Sequence, residues 1–195
     1  MNVDWSSLPI PKDDGEADHL LNSTVSPTAL LSTDDKEITL LNLRGKTVVY
    51  IYPRTGQPGK PNPEGWDMIP GIHLPTMKLI DSGARGCTPQ SCSFRDHAKE
   101  LYDLGISHVF GLSTQDTGYQ KEAASRLHLP FPLLSDEKLE LTKLMRLPSF
   151  DVTEVGTLLK RMVLIIENGK IVKVFYPVFP PEGCAQEVVD YLKQK

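Results

Sequence analysis

Gly86-Cys87-Thr88-Pro89-Gln90-Ser91-Cys92-Ser93-Phe94-Arg95-Asp96 carries two of the three cysteines of the chain and opens a helix. Phe94, Ala98, Leu101 and Gly105 recur at helical spacing, Pro89 suits a first turn and Thr88 suits the N-cap. Cys87 therefore stands at the mouth of a helix. Upstream, Thr47-Val48-Val49-Tyr50-Ile51-Tyr52 is a β-branched and aromatic run stopped by Pro53, which predicts a central, fully buried strand. Downstream, His108 to Ser113 predicts a second buried strand, followed by a polar helix over 116–127 with Tyr119, Ala123 and Leu127 on one face. Strand, helix and strand make a βαβ unit of right-handed sense, and its helix starts at the carboxyl end of the first strand. Ligands of open α/β sheets gather at that end, where Cys87 lies.

Working outward, 131–134 is a short apolar piece, and 137–145 predicts a helix with Leu141, Leu144 and Met145 inward. Arg161 to Ile166 and Ile171 to Tyr176 flank Asn168-Gly169, a type I′ hairpin signal. A closing helix over 185–193 puts Val188, Val189 and Leu192 on one face. Toward the N-terminus, Ile38 to Leu43 reads as a short strand, and residues 1–34, rich in Pro, Asp, Ser and Thr, as an irregular arm. This order predicts an α/β protein of thioredoxin-like fold: a central mixed sheet flanked by helices, in one domain over 35–195 behind the arm. Residues 56–86 form a long Pro- and Gly-containing insertion before the Cys87 helix. Connections beyond about 15 residues are uncommon unless functional or disordered, so the insertion reads as a lid or an addition.

The 195 residues suffice for one hydrophobic core, and a net charge of -4 with dispersed basic residues gives nucleic acid no phosphate-tracking surface. The first residues show no basic stretch leading into an apolar one, and the longest apolar run, Met162 to Ile166, is far short of a membrane span. The expectation is a cytoplasmic protein without a membrane partner. Three cysteines without framework spacing point to reactive or buried thiols in a reducing compartment rather than a disulfide scaffold. Cys87, Cys92 and the nearby His97 lack zinc-ligand spacing, so neither a metal nor another cofactor is expected.

A free thiol with a pKa of about 8.5 is only a few per cent thiolate at neutral pH, yet the thiolate is the nucleophile. A helix N-terminus, with its orphan N–H groups and partial positive charge, favours the anion, and a neighbouring guanidinium adds to it. Oxidation of such a thiol gives a sulfenic acid, which condenses with a second thiol. Cys92 is the obvious second thiol. Five helical residues separate the pair by about 7.5 Å of rise, beyond the roughly 7 Å at which two Cα atoms can be bridged without backbone movement. The first helical turn must then unwind in each cycle. The plainer alternative for both residues is a buried structural cysteine. Cys184, at the head of the last helix, has no neighbouring base or partner thiol in the sequence and reads as incidental.

The 86–96 stretch behind Val49-Tyr50-Ile51-Tyr52-Pro53, together with Phe110-Gly111-Leu112-Ser113, Leu133-Leu134-Ser135-Asp136 and Lys160 to Ile171, resembles the Q-type peroxiredoxins. These are also called bacterioferritin-comigratory-protein-like and belong to the wider alkyl-hydroperoxide-reductase and thiol-specific-antioxidant family. The resemblance implies a thiol peroxidase reducing hydrogen peroxide or organic hydroperoxides. In it Cys87 is peroxidatic, Cys92 resolves it through an intramolecular disulfide, and Arg161 pairs with thiolate and peroxide. Pro53, Thr55 and Thr88 fall on the substrate side, thioredoxin or a similar dithiol is the reductant, and the protein is a monomer or weak dimer. Lys160 is the natural control for Arg161.

Two departures from the family pattern stand out. Ala84 occupies the place of a Thr or Ser whose hydroxyl holds the peroxide, leaving Thr55, Ser82 and Thr88 as candidate hydroxyls and Arg85 as a candidate charge. The insertion is also far longer than in the family, with Gly65-Trp66-Asp67 as a candidate anchor and 72–83 as an apparent addition. Two other functions stay open. A thiol–disulfide oxidoreductase would share the fold but is disfavoured by the lack of any C-x-x-C, and a non-enzymatic redox sensor would use oxidation of Cys87 to reshape the insertion.

Overall fold

The computed structural model describes residues 5, 10–61, 86–153 and 155–195. The run read as a central strand is β3 (Lys46–Ile51), in which Val48, Val49, Tyr50 and Ile51 are completely buried. Alternate side chains of a strand point to opposite faces, so one strand feeds two cores. Val48 and Tyr50 join the helix-covered core, whereas Val49 and Ile51 join the core on the other face. Full burial of each aliphatic side chain contributes about 1.5–3 kcal/mol.

β3 pairs in parallel with β4 (Ile106–Ser113) through the connecting helix α1 (Cys87–Asp103), which is the expected βαβ unit. Helix α2 (Thr117–Arg126), N-capped by the Asp116 side chain on Tyr119 N–H at 2.8 Å, leads to β5 (Leu133–Ser135), parallel to β4. On the other side, β8 (Met162–Glu167) runs antiparallel to β3 and forms a hairpin with β9 (Lys170–Phe175). Asn168 and Gly169 both take positive φ there (48° and 80°), as a type I′ turn requires. Helix α4 (Cys184–Lys193) closes the chain against α1.

The N-terminal part is more regular than expected. Residues 29–32, assigned to the irregular arm, form β1 (Ala29–Ser32), which pairs with β2 (Glu37–Thr39) and with β5. Its short Leu-Leu run, flanked by Pro and Asp, carries too few residues for a visible period. The main sheet thus runs β2-β1-β5-β4-β3-β8-β9. The strand expected over 38–43 stops at Thr39 and passes into a 3-10 turn over Leu40–Asn42. A two-stranded ribbon of β6 (Ser149–Val152) and β7 (Gly156–Leu159) was not foreseen; a central turn interrupts its alternation.

Helix α3 (Glu140–Met145) buries Leu141 and Met145, one turn apart, but Leu144 is 68% exposed, against the inward placement expected for it. A helix of six residues has a single narrow buried face, and Leu144 lies off it. No described helix is long and apolar enough to cross a membrane.

Candidate active site

Cys87 is the first residue of α1, rather than preceding it as a Thr88 N-cap would require. Gly86 takes the N-cap place with φ 95° and ψ 9°, a left-handed conformation costly to a residue with a Cβ. Its carbonyl accepts from Gln90 N–H at 2.9 Å, which closes the first turn two residues earlier than the Thr88 signal implied. The cysteine thus belongs to the first turn of the helix, the end that carries the orphan N–H groups.

Antiparallel pairing sets the other half of the site. Ile51 faces Met162, so Arg161, one residue earlier, falls at the carboxyl end of β3, where α1 begins. Arg161 and Cys87 are each 3% exposed, and Arg161 Nη2 donates to Cys87 Sγ at 3.4 Å. Arg161 Nη1 donates to Gln90 Oε1, and Gln90 Nε2 reaches Ile51 O at 3.5 Å. Gln90 is wholly buried and lies three residues after Cys87, on the same face of α1. Sequence reading passed over Gln90, although that i, i+3 spacing was the available signal. A buried cation needs this kind of partner set to offset its desolvation.

The rest of α1 is held by Tyr50, the aromatic residue of β3. Tyr50 stacks on Phe94 with centroids 4.5 Å apart, and its hydroxyl donates to Ser91 Oγ at 3.2 Å. Burial raises the Tyr50 phenol well above its ordinary pKa, so it remains a neutral donor.

Cys92 is half-buried, and neither it nor Cys87 is in a disulfide. Arg95 sits beside Cys92; its guanidinium is raised first by the hydrogen bond to Asp96 at 2.8 Å, and also by Cys92. Thr55 is buried, but its hydroxyl and its N–H both donate to Gln115 Oε1, at 3.1 and 2.9 Å. Pro53 is buried just after β3, and Thr88 is half-buried in the first turn of α1. Ser82, Ala84, Arg85, the 65–67 anchor and the 72–83 addition lie outside the described residues.

Cys184, read as incidental, packs against the site. It is 2% exposed at the start of α4, and burial pushes its thiol up to about 12, against the opposing pull of Arg161 and of a hydrogen bond with Gln90. Lys160 points away from the sulfur, its ammonium bonded to Asp14 Oδ2 at 2.7 Å and Glu16 Oε1 at 3.0 Å.

The family model described as Redoxin matches residues 17–193. The chain is 29% identical over 189 residues to a protein named "Peroxiredoxin Q, chloroplastic" from Sedum lineare, covering 96% of this chain and 85% of that one. It is 32% identical over 166 residues to the protein of the same name from Triticum aestivum, covering 84% of this chain but only 62% of that relative. Among solved structures, peroxidoxin BcpB from Mycobacterium tuberculosis superposes with a TM-score of 0.65 at 23% identity, over 89% of this chain and 96% of that one. Peroxiredoxin Q from Xanthomonas campestris superposes with a TM-score of 0.66 at 17% identity, over 90% and 98% of the two chains. At these identities the solved structures establish the shared fold, the central mixed sheet flanked by helices expected from the sequence.

Proposed function

Because the chain belongs to the Redoxin family, we propose that it is a thiol-dependent peroxidase in which Cys87 is the attacking residue. The observation that carries the assignment is Arg161 Nη2 at 3.4 Å from a sulfur on the first residue of a helix. Both features put positive charge beside the sulfur that would attack. The Cys87 thiolate attacks one peroxide oxygen and the O–O bond breaks. The departing hydroxide or alkoxide takes a proton from water, leaving a sulfenic acid on Cys87. Arg161 stabilises the negative charge as it passes from sulfur to oxygen.

Cys92 is the second thiol in this reading. Its sulfur attacks the sulfenic sulfur, water leaves, and a Cys87–Cys92 disulfide forms. Thiol–disulfide exchange with thioredoxin or a similar dithiol restores both thiols. Pro53 walls the peroxide side, and the hydroxyl that replaces the one missing at residue 84 comes from Thr88, or from Thr55 if Gln115 releases it. The peroxidase body is residues 35–195, with 56–86 as its insertion and 1–34 as an arm that lends β1 to the sheet. The protein acts as a monomer or weak dimer in the cytoplasm, without nucleic acid or membrane, although its plant relatives are named chloroplastic.

Mass spectrometry after one equivalent of hydrogen peroxide tests the assignment. Loss of two hydrogens with a Cys87–Cys92 linkage is expected, and Cys87→Ser should abolish dithiol-dependent peroxide consumption. Wild-type turnover in Cys87→Ser would end the proposal, and a Cys87–Cys184 linkage would replace the resolving residue. Reduction of insulin by the reduced protein without any peroxide would point instead to a thiol–disulfide oxidoreductase.

A further inference from the structure

The turn that presents Cys87 is wedged from outside by a residue the peroxide chemistry does not use. A methyl group placed on Gly86 would lie 2.8 Å from Trp5 Cη2 and 2.5 and 2.9 Å from Pro181 Cγ and Cβ. The indole of Trp5 and the ring of Pro181 therefore press directly on the backbone that precedes Cys87. Trp5 is 8% exposed and meets Phe179 edge to face, with centroids 6.2 Å apart at 89°. Pro181 belongs to the 3-10 turn Pro181–Gly183, which packs on α1. An aromatic side chain buries more area than any other, so its contacts resist displacement of what they cover.

Cys87 is almost fully enclosed, and a sulfenic acid formed there is equally hidden from a second thiol. Exposing it means opening the first turn of α1. That movement breaks the Gln90 N–H to Gly86 carbonyl bond and carries Gly86 off the faces of Trp5 and Pro181. An opening that breaks fewer buried contacts occurs more often.

We propose that Trp5 is a positioning residue for the Cys87 turn: the indole, seated with Pro181 on Gly86, holds Cys87 in its peroxide-ready place and sets how often its sulfenic acid is exposed. The inference rests on the reading of Cys87 as the peroxidatic residue. Its consequence is a kinetic partition. A sulfenic acid held inside longer meets a second peroxide more often, giving sulfinic acid on the sulfur and water or alcohol as the other product, and is captured by a thiol less often.

The test uses the full chain in a Cys92→Ser background, oxidised with one equivalent of hydrogen peroxide in the presence of dimedone. This cyclic 1,3-dione condenses with a sulfenic acid, losing water and leaving a thioether that mass spectrometry counts. Trp5→Ala should label Cys87 several-fold faster than Trp5 and accumulate less sulfinic acid in excess peroxide, and Trp5→Phe should restore much of the slow labelling. Equal labelling rates and equal sulfinic fractions across the three would overturn the inference. Absence of any dimedone adduct on Cys87 in all three chains, Trp5→Ala included, would instead remove the peroxidase reading beneath it.

Should Trp5→Ala not fold, the same idea is read spectroscopically in the otherwise intact chain carrying Trp66→Phe, where Trp5 is the remaining tryptophan. Its emission should move to the red when Cys87 and Cys92 are oxidised and return on reduction. An emission spectrum indifferent to that cycle would sink the proposal.

Discussion

Arg161 grips Cys87 and Gln90 with its two terminal nitrogens, Nη2 donating to the Cys87 sulfur at 3.4 Å and Nη1 to the Gln90 carboxamide oxygen. A planar fork can hold two acceptors at once, whereas an ammonium is a single flexible point charge. A neutral acceptor on the helix that carries the sulfur thus helps to fix the guanidinium beside Cys87.

Arg161→Lys and Arg161→Ala should both slow oxidation of Cys87 by peroxide. A hydrogen bond to a charged group is worth about 1.5–3 kcal/mol, which corresponds to a loss of roughly 10- to 100-fold in the second-order rate constant. Lys160→Ala, which removes a neighbouring charge turned toward Asp14 and Glu16, should stay close to wild type. Stopped-flow measurement of single-turnover oxidation decides this, and equal losses at 160 and 161 would show that only general positive charge matters.

Gln90→Leu and Gln90→Glu should separate support from charge. Leucine removes the Gln90 acceptor from Arg161 Nη1 in a buried site, and a hydrogen bond to a charged group is worth about 1.5–3 kcal/mol. Glutamate keeps an acceptor but adds an anion that competes with the thiolate for the guanidinium. The expected pattern is a destabilised Leu variant and a stable but slow Glu variant. Denaturant midpoints and peroxide rates together give the answer, and a fast Glu variant would contradict it.

How much of this was legible beforehand follows from where the information sits. The β3-α1-β4 unit and the Asn168-Gly169 hairpin rest on local patterns, namely an unbroken β-branched run, helical spacing and a turn dipeptide, so they emerged with nearly correct ends. Cys87 was visible because cysteine at a helix mouth has a local chemical meaning. By contrast, β1 gains its identity by pairing with β5, more than a hundred residues away, and the Trp5 contact with Gly86 spans eighty-one. Cys184 looked isolated for the same reason: its neighbours Gln90 and Arg161 approach only once α4 docks on α1.

Cys184 should be silent toward alkylating reagents in the folded protein. It is enclosed and, with its thiol pushed up to about 12, stays protonated throughout the working pH range. At pH 8 iodoacetamide should modify the half-buried Cys92 first and reach Cys184 only after unfolding. Because its folded pKa lies above the ordinary value of 9.0, the sign is fixed: ionisation of Cys184 in the unfolded chain favours unfolding as pH rises from about 9 toward 12. Peptide mapping checks the first point. Native labelling of Cys184 as fast as that of Cys92 would refute it.

The clamp of the N-terminal arm on the strand end next to Arg161 should depend on pH in a defined window. Burial opposes ionisation of Asp14, but hydrogen bonds from Lys160, the Glu16 N–H and Tyr176 outweigh it, and the carboxyl is held below its ordinary 3.8. Burial likewise opposes the Lys160 cation, while Asp14 and Glu16 raise it above 10.5. The Asp14 contribution is therefore present above about 3.8 and lost as pH falls through the lower folded value; the Lys160 contribution is present below about 10.5 and lost as pH rises through the higher one. The Asp14 carboxylate is 36% exposed, so solvent screening holds the pair to about 0.2–1 kcal/mol. Asp14→Asn should lower the urea midpoint at neutral pH by that small amount, lose the difference as the carboxyl protonates, and respond less to added salt than the wild type. A midpoint gap that persists unchanged in acid would mean that the Asn side chain disturbs packing, and that the charge pair is not what ties the arm down.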